Sequence, residues 1–429
     1  MPMTITEKIL AAHAGKESVR PGDLVQVDVD LALANDITAP LAIGVFKELG
    51  AEAVFDREKI AMVQDHFVPN KDIQSAQQVK LMREFVREQG VKHFFELGET
   101  GIEHVILPEK GLVCPGDLVV GADSHTCTYG ALGAFSTGMG STDLGVILAT
   151  GSTWLKVPDS IRIVYEGEPG RWIGGKDLIL YTLGVLGVAG AVYRALEFTG
   201  EGASQLSMAH RFTMANMAVE AGAKNGIFCA DDTTAAYMKD RSSRAGSFFQ
   251  SDPDAEYAEE IHVSLESMEP QVALPHSPDN ARPVSEVGSV RLDQVFLGSC
   301  TNGRLDDLRE AASLLKGHRV AKSTRFIVIP GSPMIYREAI REGIIEVFLD
   351  AGAVIGPPCC GPCLGGHMGI LAAGEKALST SNRNFVGRMG HPESEVYLAG
   401  PAVAAASAIA GEIISPAQIA AQKGRGRVN

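Results

Sequence analysis

Short apolar runs that stop abruptly at small or polar residues and give way to helical periodicity recur along this chain, and they constrain its fold more than any other feature. "LVQVDVDLALAND" (24–36) alternates and stops at Asn35-Asp36, and Pro40 opens the helical "PLAIGVFKELG". "KIAMVQDH" ends at Asp65-His66 ahead of a helical stretch over about 71–89. "DLVVGADSHT" ends at Asp123-Ser124-His125, and "VYRALEFTG" ends near Glu197. The design returns in "RLDQVFLGSCTN", "RFIVIPGS" and "AGAVIGPPCCGPC", each expected to run into a helix, the last into "LGGHMGILAAG". Strands alternating with helices at this spacing predict parallel sheets covered by helices, an α/β fold. Open sheets of this kind bind ligands beyond the carboxyl ends of their strands, which is where the polar residues fall.

A length of 429 residues suggests three domains, at roughly 150 residues each. The expectation is three parallel or mixed α/β/α domains over 1–135, 136–289 and 290–429. Residues 241–289 break the rhythm: they are polar, carry Pro253, Pro270, Pro275, Pro278 and Pro283, and contain one good strand, "EIHVSLE". They form the connection into the last domain, and no internal repeat is visible. With 38 basic and 52 acidic residues the formal charge is -14, which disfavours nucleic acid and anionic membrane surfaces as partners. No apolar run is long enough to span a bilayer. Seven cysteines, three of them clustered, and no secretory apolar region in "MPMTITEKIL" indicate a reducing, cytoplasmic compartment. An anionic substrate would then need local arginines, helix N-termini or a metal to hold it.

Cys359, Cys360 and Cys363 stand within "PPCCGPCLGGHMG". The Cys360/Cys363 spacing serves thiol/disulfide exchange, zinc binding and iron-sulfur binding alike, and a buried pair of small residues is the bland alternative. Cys300 argues for a third ligand, because "GSCTN" ends a strand and opens a helix, where the helix dipole favours thiolate. If the strands ending at Cys300 and Cys360 are neighbours in one sheet, three thiolates converge at its carboxyl edge. Three thiolates leave one metal position open, as a Lewis acid catalyst requires. Cys114, Cys127 and Cys229 lack partners at metal spacing, and Cys359 is left unassigned.

Asp65-His66 and Asp123-Ser124-His125 pair carboxylate with imidazole at strand ends, an arrangement that fixes a histidine's tautomer and supports its charged form. His104, in "ETGIEHV", adds a third imidazole, and "TSNRNFVGRMG" supplies Arg383 and Arg388 as forks for a carboxylate. "GRWIGGKD" (170–177) matches a phosphate loop except that Asp177 stands where Ser or Thr would hold magnesium, so it reads as a turn and helix start. "GMGSTD" (138–143) lacks the third glycine of a dinucleotide fingerprint.

Taken in order, "NDITAP", "QDHFVP", "GADSHT", "GSCTNGR", "CGPCLGGHMG" and "TSNRNFVGRMG" resemble the signature of the aconitase superfamily. Within it, they look most like the large-subunit branch of 3-isopropylmalate dehydratases, with the homoaconitase large subunits close behind. The likeness runs from about residue 24 to 410. It implies three aconitase-type domains around an iron-sulfur site, with one [4Fe-4S] cluster held by Cys300, Cys360 and Cys363. It implies that Asp65, His66, His104, Asp123, His125 and Glu197 line the site, and that Asn35, Ser124, Arg383 and Arg388 hold or orient substrate. Asn35 stands where aconitases carry glutamine. The activity implied is a hydro-lyase acting on a small hydroxy di- or tricarboxylate. Aconitases also carry a swivelling fourth domain that supplies the catalytic base, and the resemblance implies that a separate small subunit brings it here. From other classes, a thiol/disulfide oxidoreductase would explain the Cys360/Cys363 spacing and predicts that Cys300→Ser is harmless. An RNA-binding role runs against the charge and the lack of a basic stripe.

Overall fold

The structure, a computed structural model, describes residues 1–425, so the last four residues of the expected segment 290–429 lie outside it. By its internal contacts the chain divides into two compact units, one of Met1–Glu166 with Ala189–Val263, the other of Gly167–Val188 with Ser264 onward.

The first unit is built on a five-stranded parallel sheet in the spatial order His93–Phe95, Ile60–Val63, Leu31–Asn35, Leu118–Gly121, Phe135–Gly138. Its central strands are buried along their whole length, which is why they read as near-continuous apolar runs. Alternate residues still face different cores. Ala32, Ala34, Ile60, Met62, Leu118 and Val120 pack with Ile43, Phe46, Phe85 and Leu144, while Leu31, Leu33, Ala61, Val63 and Val119 pack with Ile106, Tyr129 and Phe212. In chain order the strands run 3-2-1-4-5 across the sheet. The winding therefore reverses between Leu31–Asn35 and Leu118–Gly121, and loops leaving these two strands diverge to leave a crevice at their carboxyl ends. The helices that follow match the expected positions, at Ala39–Glu48 and Ile73–Gln89. The run at 24–36 is two strands, since Leu24–Asp28 leaves the main sheet to pair antiparallel with Ser152–Lys156. A four-stranded sheet of Asn225–Phe228, Ala195–Thr199, Ser160–Glu166 and Glu259–Ser264 completes this unit.

The second unit holds a seven-stranded sheet in the order Ala281–Pro283, Gln271–Ala273, Glu395–Ala399, Lys376–Ser379, Gln294–Leu297, Arg325–Val328, Val354–Ile355. Its last five strands are parallel and repeat the 3-2-1-4-5 winding, with the reversal between Gln294–Leu297 and Lys376–Ser379. The first two are antiparallel additions at the edge, so the proline-rich connection carries two strands beyond the one expected. The strands leading to Cys300 and Cys360 share this sheet but are separated by Arg325–Val328 rather than adjacent. The expected helix over "LGGHMGILAAG" does not form. Cys360 opens a single 3-10 turn, Gly361–Leu364, and Gly365, Met368 and Gly369 then take positive φ values of 72°, 28° and 90°, which no helix accommodates. Among the described residues no helix is long and apolar enough to cross a membrane.

Candidate active site and cysteine centre

In the first unit the polar residues gather at the reversal of the sheet. Asp36, directly after the first strand and 1 % exposed, accepts three backbone N–H groups: those of Asp65 (3.0 Å) and His66 (2.9 Å) on Oδ1, and that of Phe67 (2.9 Å) on Oδ2. This cradle fixes the turn that carries the Asp65-His66 pair. Asp65 Oδ1 lies 2.7 Å from His66 Nδ1, and its Oδ2 accepts the Glu103 N–H at 2.7 Å. Burial works against a charged imidazole at His66, but Asp65, Asp36 and Glu103 outweigh it and hold its pKa well above the usual histidine range.

Asp123 organises the other half. Its Oδ1 accepts the His125 N–H at 2.7 Å and lies 3.0 Å from His104 Nε2. Although burial disfavours its charge, these histidines keep its carboxyl well below the usual carboxylate range. His104 is pushed the other way: burial lowers its pKa despite Asp123, and its Nδ1 meets the Tyr129 hydroxyl at 3.0 Å. His125 Nε2 pairs with Glu220 at 2.8 Å, and Ser124 Oγ stands 3.5 Å from His125 Nδ1. Asn35 donates its amide to Glu103 Oε1 at 2.9 Å, while its Oδ1 accepts the Ile37 and Thr38 N–H groups that start the next helix. One ligand-type atom each from His66, Glu103 and Asp123 lies within 4.8 Å of the others, so the two halves meet.

The structure thus brings Asn35, Asp65, His66, His104, Asp123, Ser124 and His125 together. It does not bring Glu197 into this network. That carboxylate, on Ala195–Thr199, accepts the Ser251 hydroxyl at 2.9 Å and the Tyr257 hydroxyl at 2.9 Å, and burial raises its pKa. The glutamate that pairs with a site histidine is Glu220. Glu103 and Glu220 are two acids of the cluster that sequence reasoning missed, and the positioning residues Asp36 and Tyr129 here, and Asn382 and Lys176 beside the cysteines, were likewise not assigned. Glu103 stood beside the histidine singled out in "GIEH", and Glu220 was visible as a lone acid in the apolar helical stretch "FTMANMAVEAGA".

In the second unit the sulfurs gather at the equivalent reversal. Cys300, Cys360 and Cys363 are buried thiols, as are Cys114, Cys127 and Cys359. Cys300 lies in the four-residue turn Ser299–Asn302 and not at the start of the longer helix Leu305–Leu315, so the expected dipole contribution is small. Ser299, just before it, is held at φ 73°, a conformation that favours glycine. The segment after the fourth strand supplies the link between sulfurs: Asn382 Nδ2 donates to Cys300 Sγ at 3.3 Å, and Asn382 Oδ1 lies 3.8 Å from Cys363 Sγ. Arg388 reaches Cys363 Sγ with Nη2 at 3.7 Å, and its buried Nε has no partner among the described residues. Arg383 follows Asn382 and is half-buried.

Beneath this turn lies Lys176, 1 % exposed, on the helix Gly175–Leu186 that "GRWIGGKD" opens. Its Nζ donates to the carbonyls of Thr380 (2.8 Å) and Ser381 (2.7 Å), the two residues before Asn382. Burial drives its pKa down to about 7, against the pull of Cys300, Asp307 and Cys363. The donor set of three buried sulfurs, with amide and guanidinium N–H groups beside two of them and an orphaned guanidinium nitrogen, fits a thiolate-held, negatively charged group with an incomplete ligand count. A tetrahedral structural zinc site would need a fourth ligand that these residues do not offer.

Such a pairing of α/β sheets, strand-end carboxylates with histidines, and three cysteines defines a class, and the sequence falls within it: the chain belongs to the aconitase family (aconitate hydratase), whose profile matches residues 7–411. It is similar over almost its whole length to proteins named 3-isopropylmalate dehydratase large subunit. That of Moorella thermoacetica is 63 % identical, and that of Syntrophus aciditrophicus 60 %, each covering 98 % of this chain and 100 % of the relative. The large subunit 1 of Pyrococcus furiosus is 59 % identical over 97 % of this chain and 99 % of its own.

Proposed function

We propose that this chain is the large subunit of an iron-sulfur hydro-lyase that interconverts 2-isopropylmalate and 3-isopropylmalate by dehydration and rehydration, as leucine biosynthesis requires. Full-length similarity to large subunits of that name supports the substrate over homocitrate and supports a small, swivel-domain subunit as partner. The observation that carries the chemistry is the Asp65-His66 pair, because a 2-hydroxy acid loses its hydroxyl only if that poor leaving group is protonated or bound as it departs. Bound to Cys300, Cys360 and Cys363, a [4Fe-4S] cluster would supply an iron Lewis acid for the substrate hydroxyl and carboxylate.

The chain's own residues have separate tasks. Asp65 occupies His66 Nδ1, so Nε2 is the nitrogen that gives the departing hydroxyl its proton. Neutral His104 and the Asp123-His125-Glu220 chain form a buried wall of fixed hydrogen-bonding groups. Asn35, Ser124, Arg383 and Arg388 hold substrate oxygens, and the small subunit brings the base for the carbon-bound proton. The division of the chain into 1–135, 136–289 and 290–429, and a cytoplasmic location, belong to the same reading.

The test is iron and acid-labile sulfide per chain on protein purified without oxygen, followed by turnover of 2-isopropylmalate and of homocitrate once the small subunit is added. About three to four of each per chain and turnover of the isopropyl substrate are expected. No iron, with a reversible Cys360/Cys363 disulfide in its place, would overturn the reading in favour of a thiol switch.

A further inference from the structure

Glu103 occupies the middle of the polar cluster and belongs to none of its ion pairs in the ordinary way. It is a buried residue, 1 % exposed, at the start of the helix Glu103–Glu109. Its N–H is given to Asp65 and its Oε1 receives the Asn35 amide, but its buried Oε2 has no hydrogen-bond partner among the described residues. The groups around it are the carboxyl side chains of Asp65 and Asp123, His66 held charged, His104 with Nε2 3.6 Å from Oε1, and the Tyr129 hydroxyl, which donates to the Glu103 carbonyl at 3.4 Å. An ionised Glu103 would be a third carboxylate in one buried cluster with an oxygen left unsatisfied, which is costly on both counts. A protonated Glu103 avoids the first cost and turns the orphaned Oε2 into an O–H donor, which a bound molecule's oxygen could accept. Oε1 is already taken by Asn35, so the proton belongs on Oε2.

We propose that Glu103 is a substrate-binding residue: a neutral carboxylic acid whose Oε2–H donates a hydrogen bond to a carboxylate or hydroxyl oxygen of the bound hydroxy acid. Desolvation, Asp65 and Asp123 all push its pKa well above the carboxylate range, in keeping with that state. The role rests on the hydro-lyase reading for its substrate, but not for its proton.

Two measurements separate them. Infrared difference spectra of the assembled complex at pH 7 are expected to contain a protonated-carboxyl stretch that disappears in Glu103→Gln and moves when 2-isopropylmalate is added. Kinetically, Glu103→Leu is expected to raise KM about tenfold, the loss of one hydrogen bond to a charged acceptor, with a smaller effect on kcat. Glu103→Gln, which keeps an N–H donor on a neutral side chain, is expected to recover most of that loss. A wild-type spectrum without the Glu103 band, or a band indifferent to substrate, overturns the proposal. So does an unchanged KM in Glu103→Leu. If Glu103→Leu does not fold, the spectra of wild type and Glu103→Gln still decide. If no hydroxy acid is turned over or bound but the band is present, the substrate reading fails while the proton on Glu103 stands, and the donor role falls with the substrate.

Discussion

Asp36 touches neither imidazole at hydrogen-bond distance, yet it decides where His66 sits. Its carboxylate accepts the three consecutive N–H groups of residues 65–67, all at 2.9–3.0 Å, the first two buried and that of Phe67 partly so. Asp36→Asn keeps the shape but offers one carbonyl oxygen and one amide donor. The carbonyl can still take the Asp65 and His66 N–H groups, whereas the amide then faces the Phe67 N–H, donor against donor. One charge-assisted hydrogen bond is lost and one partly buried donor is left facing another, a local cost of about 2–4 kcal/mol. At about 1.4 kcal/mol per tenfold, opening of this turn becomes roughly 30- to 1,000-fold easier. Hydrogen–deuterium exchange read by mass spectrometry on peptides spanning 60–72 measures that factor, and kcat should fall with it as the His66 ring loses its fixed position. Peptides over 294–304, in the other unit, serve as the control. Exchange at 65–67 within threefold of wild type, alongside lost activity, would refute the cradle argument. Equal acceleration in the control peptides would mean that the whole chain, not the turn, had been weakened.

Other perturbations read other parts of the site. Asp65→Asn removes the carboxylate that most raises the His66 pKa, and an acid works only while protonated, so the alkaline limb of kcat should move to lower pH. In stability terms, a raised histidine pKa contributes fully below its unfolded value near 6.5 and is lost as pH rises through the folded one, so the same substitution should weaken that contribution. NMR titration of His66 would show either shift. Lys176→Met strips the donor from the Ser381 carbonyl, while Thr380 keeps the Thr301 hydroxyl at 2.6 Å. The cost is about 1–3 kcal/mol, expected as faster iron loss to a chelator and faster amide exchange around 380–382. Glu220→Gln should lower kcat more than Glu197→Gln, whose main effect should be a lower melting temperature as the Ser251 and Tyr257 ties weaken.

Alternation of apolar and helical segments was enough to place the parallel strands, because strands buried on both faces must be apolar throughout and their ends must be polar. The short strands Gln271–Ala273 and Ala281–Pro283 escaped notice for the opposite reason: they are three residues each, preceded or ended by a proline, too short to show any period, and the outer one, Ala281–Pro283, is a part-exposed edge that demands no apolar run. The glycines of "LGGHMG" outweigh its helical spacing, and the chain turns instead. Position at a strand end singled out Asp65 and Asp123, which the structure ties to histidines, and Cys300, which meets Asn382, but it also singled out Glu197, whose partners are supplied by the 251–257 segment. Which way a strand-end side chain is engaged depends on residues distant in sequence, and no local pattern contains that. Glu220 shows the same limit from the other side, since its partner His125 is 95 positions away.

No repeat is visible in the sequence, yet the two large sheets wind their five parallel strands in the same order and carry chemistry at the same two corners. Asn35-Asp36 and Cys300 follow the first strand of their sheets, and Asp123 and Asn382 follow the fourth. A winding that reverses puts right-handed crossovers on both faces of a sheet, and strands buried on both faces require apolar residues but not the same ones. What the reversal fixes is a crevice between diverging loops, lined by strand-end residues that need not contribute to the core. In one unit that freedom holds carboxylates and imidazoles tuned against each other; in the other it holds sulfurs bracketed by an amide and a guanidinium. Substitutions at the outer strand ends, such as Glu96, which pairs with Arg83 at 2.6 Å and 40 % exposure, should therefore alter stability only slightly and leave both corners intact.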